Sequence, residues 1–392
     1  MSTPSSTDSA EAYATWIAPQ ASLVVLQPTT LCNLDCSYCY LPFRKKRLEM
    51  SVEVTQAVAD SLAEQQPGHV TEVCWHGGEP LAIGPEKLAA LMAPFEELRR
   101  AGRVRHSLQT NATLINEPWC DLFIGYDVAV GVSIDGPADL NAERVDWAGR
   151  PAFDRIVTGI GKLVERQIRF SLIAVVGEGI GRAADLLDFL TGLGPTSIGL
   201  NIEELEGVNT SRSQPAPERA RAFWEAVFAW SAQHPGVEVR ELDRLAHYLR
   251  TIRGGERESW EAHRYDPLPT VAVNGDVVLL SPELAGIRDE YYGDFLAGNV
   301  VTEPLSEILA AAHRLPYVSE FLDGLAACRE TCAFFDFCRG AQAGNRYFEN
   351  GSFDSTETNY CRASKQELVR ALAGITNTTG ISSSTRSMEE AT

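Results

Sequence analysis

Three cysteines stand close together in the segment CNLDCSYC: Cys32, Cys36 and Cys39, spaced C-x3-C-x2-C, with Tyr38 before the last. Three thiolates on so short a loop can wrap one face of an iron–sulfur cubane and ligate three of its irons. One iron stays open, and an open coordination position is where chemistry occurs. A structural zinc site wants four closed ligands, and no fourth Cys or His lies nearby. A second set, Cys328-x3-Cys332-x5-Cys338 followed by Cys361, supplies four thiolates. Four close a site completely, and by ligand count zinc and a 4Fe-4S cluster both fit. In a chain of this kind such groups point to metal or catalysis rather than disulfides. The two remaining cysteines, Cys74 and Cys120, have apolar sequence neighbours (Val73 and Trp75; Trp119 and Leu122) and read as buried core thiols.

Alternating elements must position these groups. Short β-rich runs at 22–28, 71–76, 104–110, 128–134, 169–176 and 197–203 alternate with helical patterns. Ser51 can cap a helix carrying Val54, Val58 and Leu62, and Pro85 can open another. Residues 153–166, 182–192 and 217–232 read likewise. This order implies a parallel sheet with right-handed crossovers, either doubly wound or a partial barrel. In both, functional groups gather at the C-terminal strand ends. The cysteine loop follows the first strand. Gly77-Gly78-Glu79-Pro80 follows the second, where glycines permit close backbone approach and Glu79 can accept from an ammonium group. Gln109-Thr110-Asn111 ends the third. Ser133-Ile134-Asp135-Gly136-Pro137 ends the fourth, with Arg144 beyond. Asn201, Ile202, Glu203 and Glu204 end the sixth.

Past residue 205 come a polar linker, helical stretches at 217–232 and 239–254, and a β-hairpin around Asn274-Gly275. The last hundred residues show little periodicity and need an internal staple, for which metal is the obvious choice. The expected organisation is a disordered 1–15, a core over 16–205, a helical bridge over 206–266, a cysteine-bearing domain over 267–373 and a disordered tail over 374–392.

The net charge is -19, from 34 basic and 53 acidic residues among 392. That argues against nucleic-acid binding and against an anionic membrane surface. No apolar run is long enough to cross a membrane, and the polar N-terminus carries no signal peptide, so a cytoplasmic protein is expected. One basic run, Arg44-Lys45-Lys46-Arg47, reads as a solvated loop cluster or as a contact for an acidic peptide or electron donor.

The cysteine loop resembles the signature of the radical S-adenosylmethionine (SAM) superfamily. The resemblance implies a (β/α)6 partial TIM barrel over roughly residues 20–205 and a 4Fe-4S cluster on Cys32, Cys36 and Cys39. SAM would chelate the open iron and be cleaved reductively to a 5′-deoxyadenosyl radical. It further implies that Glu79, with Gly77 and Gly78, binds the SAM amino group. Gln109, Asn111, Ser133 and Asp135 would line the pocket with Tyr38 and Asn201, and Arg144 would help hold the carboxylate. The last hundred residues resemble a SPASM domain. This implies one auxiliary 4Fe-4S cluster on Cys328, Cys332, Cys338 and Cys361, because Leu280 and Gln342 stand where a second auxiliary cluster would take ligands.

Over about residues 22–372 the chain is similar to the GrrM/OscB-like group of radical SAM/SPASM peptide maturases. The segments that carry this include SYCYLPFRKKRLEMS, VCWHGGEPL, RHSLQTNATLIN, GLNIEELEGVN and ENGSFDSTETNYC. The group forms three-residue cyclophanes in ribosomal precursor peptides, joining an aromatic ring carbon to a β-carbon. A flavodoxin- or ferredoxin-type donor would supply electrons. Rearomatisation must lose a proton, and Glu203, Glu204, Asp276 and Glu283 are candidate bases. Two departures stand out. Ala112 replaces the usual Gly of QTN-G-T, and DLNAER lacks the His-Asp often seen before the arginine. Formylglycine formation of the sulfatase-maturase type is the alternative, although Leu280-Ser281 stands where that family carries Cys-Asp. An iron–sulfur electron-transfer or scaffold protein is a reading of another class, and a pure carrier would not need the SAM-pocket motifs.

Overall fold

The computed structural model describes residues 6–378. Ten strands form one sheet: β1 Leu23–Leu26, β2 Thr71–Trp75, β3 Val104–Thr110, β4 Ala129–Ser133, β5 Phe170–Val176, β6 Ser197–Ile202, β7 Glu238–Val239, β8 Thr270–Val271, β9 Asp276–Val278 and β10 Gly298–Asn299. Each strand from β1 to β6 lies parallel to and beside the next. A doubly wound sheet reverses its order at a switch point. This sheet does not, so the partial barrel is the architecture formed.

Burial along the strands alternates. Outward residues such as Val73, Trp75, Leu108, Val130 and Leu172 join the core with the flanking helices. Inward residues, among them Glu72, Cys74, Ser107, Gln109 and Gly131, line a lumen of about 1040 Å³. The period of two on a strand corrects one expectation. Cys74 points opposite to Val73 and Trp75, so it faces the lumen half-buried instead of joining their core. Cys120 is fully buried, on the helix Glu117–Gly125.

The expected caps form. Ser51 Oγ accepts from the Val54 amide at the start of the helix Val52–Ala63, a contact worth about 1 kcal/mol. The hairpin also forms: β8 lies parallel to β1, and β9 runs back antiparallel beside β8. The C-terminal hundred residues are more regular than expected, with helices Pro316–Thr331, Ala343–Asn350 and Glu367–Thr378.

Both expected disordered ends need correction. Residues 6–16 form a helix whose Tyr13 and Trp16 are buried. Trp16 stands edge-on to Phe335 at 6.0 Å and takes the Arg329 guanidinium over its ring at 5.0 Å. A few aromatic anchors outweigh the small polar residues around them. At the other end the last helix runs to Thr378, so 374–378 are helical, and the rest of that expected tail lies outside the described residues. No described helix is long and apolar enough to cross a membrane.

Candidate active site

The cysteine loop is fixed by the turns beside it. Gly78 has φ +62°, and a Cβ there would lie 2.6 Å from the Thr29 carbonyl and 2.7 Å from that of Leu31. Only glycine lets the Gly77–Pro80 turn seat this closely on the loop. Glu79 is buried and ties two strand ends together. Its carboxylate accepts from Leu81 N (3.1 Å), Thr110 Oγ1 (2.6 Å) and Asn111 N (2.8 Å). Burial pushes its pKa up to about 6. Oε1 takes two of these bonds and Oε2 one, so a lone pair remains on Oε2 and an ammonium group can still be accepted there. Asn111 reaches back to Asn33 Oδ1 (2.9 Å) and towards Cys32 Sγ (4.0 Å). Leu34 N donates to Cys32 Sγ at 3.4 Å. Donors aimed at sulfur suit a thiolate ligand. Burial raises the pKa of all three thiols, Cys36 to about 11, a preference that a bound metal's positive charge reverses. Ala112 sits at φ +60°. That left-handed backbone explains why glycine suits the position better.

Tyr38, Asp135 and Arg144 form one buried unit. Arg144 donates to both Asp135 oxygens (2.8 and 3.0 Å), Tyr38 OH donates to Oδ2 (2.5 Å), and the guanidinium lies 5.5 Å from the Tyr38 ring. Arg144 thus holds the tyrosine that precedes Cys39, through Asp135. Beside this unit opens a cavity of about 330 Å³, lined by Tyr38, Asp135, Val176, Gly177, Glu178 and Glu203. The sequence reading did not single out the glycine-rich exit of β5, VVGEGIG, although it offered the same kind of signal as Gly77–Gly78. A Cβ on Gly177 would lie 2.1 Å from Glu203 Oε2. Glu203 is ion-paired with Arg212, which also reaches Glu143 and Ser37. Gln109 and Ser133 bond each other in the lumen (2.7 Å). Asn201 turns to Arg240 (2.6 Å).

Of the four candidate bases, the fold brings together Glu204 and Glu283 and adds Glu206. Asn345 donates through Nδ2 to both Glu204 and Glu206. Glu283 accepts from Ser281 Oγ at 2.5 Å. Burial and the Glu283 charge push Glu204 up to about 8, burial and both neighbours raise Glu206, and burial raises Glu283. Asn345 thereby holds the Glu204 and Glu206 carboxylates side by side. The cluster stands near the tyrosines that adjoin both cysteine groups. Tyr40, next to Cys39, feels Glu283 and Glu206, and Tyr360, next to Cys361, feels Glu204 and Glu206. Tyr40 OH also bonds His76 Nε2 at 2.7 Å. Glu206 was legible only as part of the acidic run after β6. Asp276 stands apart. It accepts from Asn274 (2.7 Å) and Asn299 (2.9 Å), bracing the hairpin turn.

The four C-terminal cysteines come together around one small cavity of about 10 Å³. Cys328 lies on the helix Pro316–Thr331, Cys332 caps it, Cys338 ends the turn Phe335–Cys338, and Cys361 opens the π-helical turn Cys361–Gln366. Arg346, itself buried, donates to Cys328 Sγ at 3.5 Å, and Gln366 donates to Cys361 Sγ at 3.6 Å. A closed ring of thiols with donors on its sulfurs fits an iron–sulfur cluster. Gln342 begins the helix Ala343–Asn350 outside that cavity.

Comparison with known proteins agrees with this geometry. Residues 26–204 match the profile of the Radical SAM superfamily. The chain is 33% identical to the uncharacterised protein sll1766 of Synechocystis over 365 residues, 90% of this chain and 91% of that one. It is 34% identical over 171 residues, 42% of either chain, to a serine-type anaerobic sulfatase-maturating enzyme of Klebsiella aerogenes. Its fold superposes on that of anSMEcpe, solved with AdoMet and the Cp18Cys peptide, with a TM-score of 0.71. Sequence identity there is 20%, and the match covers 91% of this chain and 98% of the other. The C-x3-C-x2-C loop, the strand-end turns that brace it and these likenesses make the chain a member of the radical SAM superfamily, whose enzymes use a 4Fe-4S cluster and SAM.

Proposed function

We propose that the chain is a peptide maturase that oxidatively crosslinks a ribosomally made precursor peptide, joining an aromatic ring carbon to a nearby β-carbon in a three-residue cyclophane. The observation that carries this reading is the carboxylate cluster of Glu204 and Glu206, bridged by Asn345, with Glu283, near the tyrosines that adjoin both cysteine groups. SAM and the two clusters, on Cys32/Cys36/Cys39 and on Cys328/Cys332/Cys338/Cys361, supply the one-electron chemistry, removing a hydrogen atom from the β-carbon and one electron from the ring. The chain's own residues take the remaining proton. Two C–H bonds break, one C–C bond forms, and the product is lighter by two hydrogens. Burial and neighbouring carboxylates raise the proton affinity of Glu204 and Glu206, which suits them to accept that proton. Asn345 keeps the pair in register, and Tyr38, Glu79 and Asn111 position the loop and its SAM-facing side.

The test is co-expression with the short peptide genes neighbouring its own, followed by tandem mass spectrometry with deuterium at the β-carbon. A crosslink suppresses fragmentation within one span that contains an aromatic residue and moves deuterium into 5′-deoxyadenosine. A second reading, formylglycine formation, is favoured by the 34% identity to a sulfatase-maturating enzyme. It predicts a product cleavable at every backbone bond and reactive with a hydrazine probe. Trapping by hydrazine with no resistant span would replace the first reading with the second.

A further inference from the structure

The run Arg44–Arg47 has no part in the chemistry above, yet Arg44 and the neighbouring Trp147 together make three hydrogen bonds to the cysteine loop. Cys32 N donates to the Arg44 carbonyl at 2.9 Å, and Arg44 Nη1 donates to the Cys36 carbonyl at 3.3 Å. Trp147, 37% exposed, donates its indole N–H to the Cys32 carbonyl at 2.8 Å. Lys45 Nζ lies 4.4 Å from the Trp147 ring centroid, and Lys46 Nζ lies 4.7 Å from that of Phe43. Phe43 and Leu48 are exposed beside them. The acidic groups facing the patch are already paired: Asp35 with Arg44 at 3.3 Å, and Glu49 with Arg47 and Lys87. Among the described residues no carboxylate forms an ion pair with Lys45 or Lys46. A locally positive, partly apolar patch on a chain of net charge -19 steers an acidic partner to this one place.

We propose that Lys45, Lys46, Arg47, Phe43 and Trp147 form the docking face for an acidic one-electron carrier protein of the flavodoxin or ferredoxin class. The carrier's reduced cofactor would give up one electron there to the 4Fe-4S cluster that Cys32, Cys36 and Cys39 would hold, and the Trp147–Cys32 hydrogen bond joins the face to that loop. This rests on membership of the radical SAM superfamily and not on the crosslinking reaction. Its failure therefore leaves the crosslinking reading standing.

The test compares the reconstituted holoenzyme with a Lys45→Glu/Lys46→Glu variant, using an acidic bacterial flavodoxin as the probe. Calorimetric titration should show flavodoxin affinity falling roughly tenfold or more, with a flatter salt dependence. The concentration of reduced flavodoxin that half-saturates 5′-deoxyadenosine formation should rise by a similar factor. Dithionite, which needs no docking face, should drive both proteins equally. Unchanged flavodoxin affinity overturns the proposal, as does an equal loss with dithionite. So does a variant that binds flavodoxin normally but loses peptide product, which would make the patch a peptide contact.

Discussion

The two cysteine groups are built in opposite ways. Cys32, Cys36 and Cys39 come from one short loop, held from outside by its neighbours' turns, and Cys32 and Cys39 are only half-buried. Cys328, Cys332, Cys338 and Cys361 come from separate turns and helices, three of them are buried, and they close around a cavity with Arg346 and Gln366 inside the shell. An open position must admit a ligand, so its ligands stay near the surface and its supports stand behind them. A closed site that only stores an electron can be sealed, and its donors act on the sulfurs themselves. The carboxylate cluster of Glu204, Glu206 and Glu283 stands near Tyr40 and Tyr360, the tyrosines that adjoin the two groups.

The sharpest way to break this contrast is at the ligands. Changing Cys32, Cys36 and Cys39 together to Ala should abolish reductive SAM cleavage. Iron content should fall from about eight to about four per chain, since each cubane holds four. Anaerobic reconstitution with iron analysis checks it, and cleavage surviving in the variant would erase the distinction between the sites.

Next in size is the brace behind the open loop. Arg144→Met leaves Asp135 buried without its partner, and stability should fall by about 3–5 kcal/mol in equilibrium denaturation. A loss below about 1 kcal/mol, the range of an exposed pair, would show that the pair is not sealed.

The carboxylate cluster separates the two halves of the reaction. Glu204→Gln should lower peptide product about 100-fold, the reach of a general base, while SAM cleavage continues. Its pKa is raised, so the stabilisation from holding its proton is complete below pH 4.5, its ordinary value, and is lost as pH rises through about 8. The wild type should therefore lose stability relative to Glu204→Gln across that window. Product formation should rise over the same range, as the pair empties. A flat pH profile would remove Glu204 from the role of base.

The smallest effect tests the loop's geometry. Ala112→Gly relieves a left-handed backbone that costs an L-residue about 1–2 kcal/mol, offset by glycine's extra chain entropy. A net gain of about 0.5 kcal/mol in a thermal melt is the expected outcome. A destabilised variant would mean that the Ala112 methyl packs better than its backbone suggests.

Much of this was legible in the sequence because it is local. The spacing within Cys32–Cys39 confines three thiols to one loop whatever the rest of the chain does. Alternation of apolar residues marked β1 to β6, and Ser51 and Pro85 marked helix starts, since each depends on contacts within a few residues. The tertiary structure alone decided what depends on which strands become neighbours. Apolar flanks placed Cys74 in the core, but the side of the sheet that receives the helices put it in the lumen. Glu203 and Glu204 look alike in the chain, yet consecutive residues at a strand end point apart. One meets Arg212, the other meets Glu206 and Asn345. Asp276 and Glu283 were equal candidates, and the hairpin took the first while the turn after β9 carried the second to the carboxylate pair. Arg346 and Gln366 had no motif at all. Their roles exist only because helices distant in sequence close over the same four sulfurs, and no local pattern encodes a contact whose two sides meet only after the chain has folded.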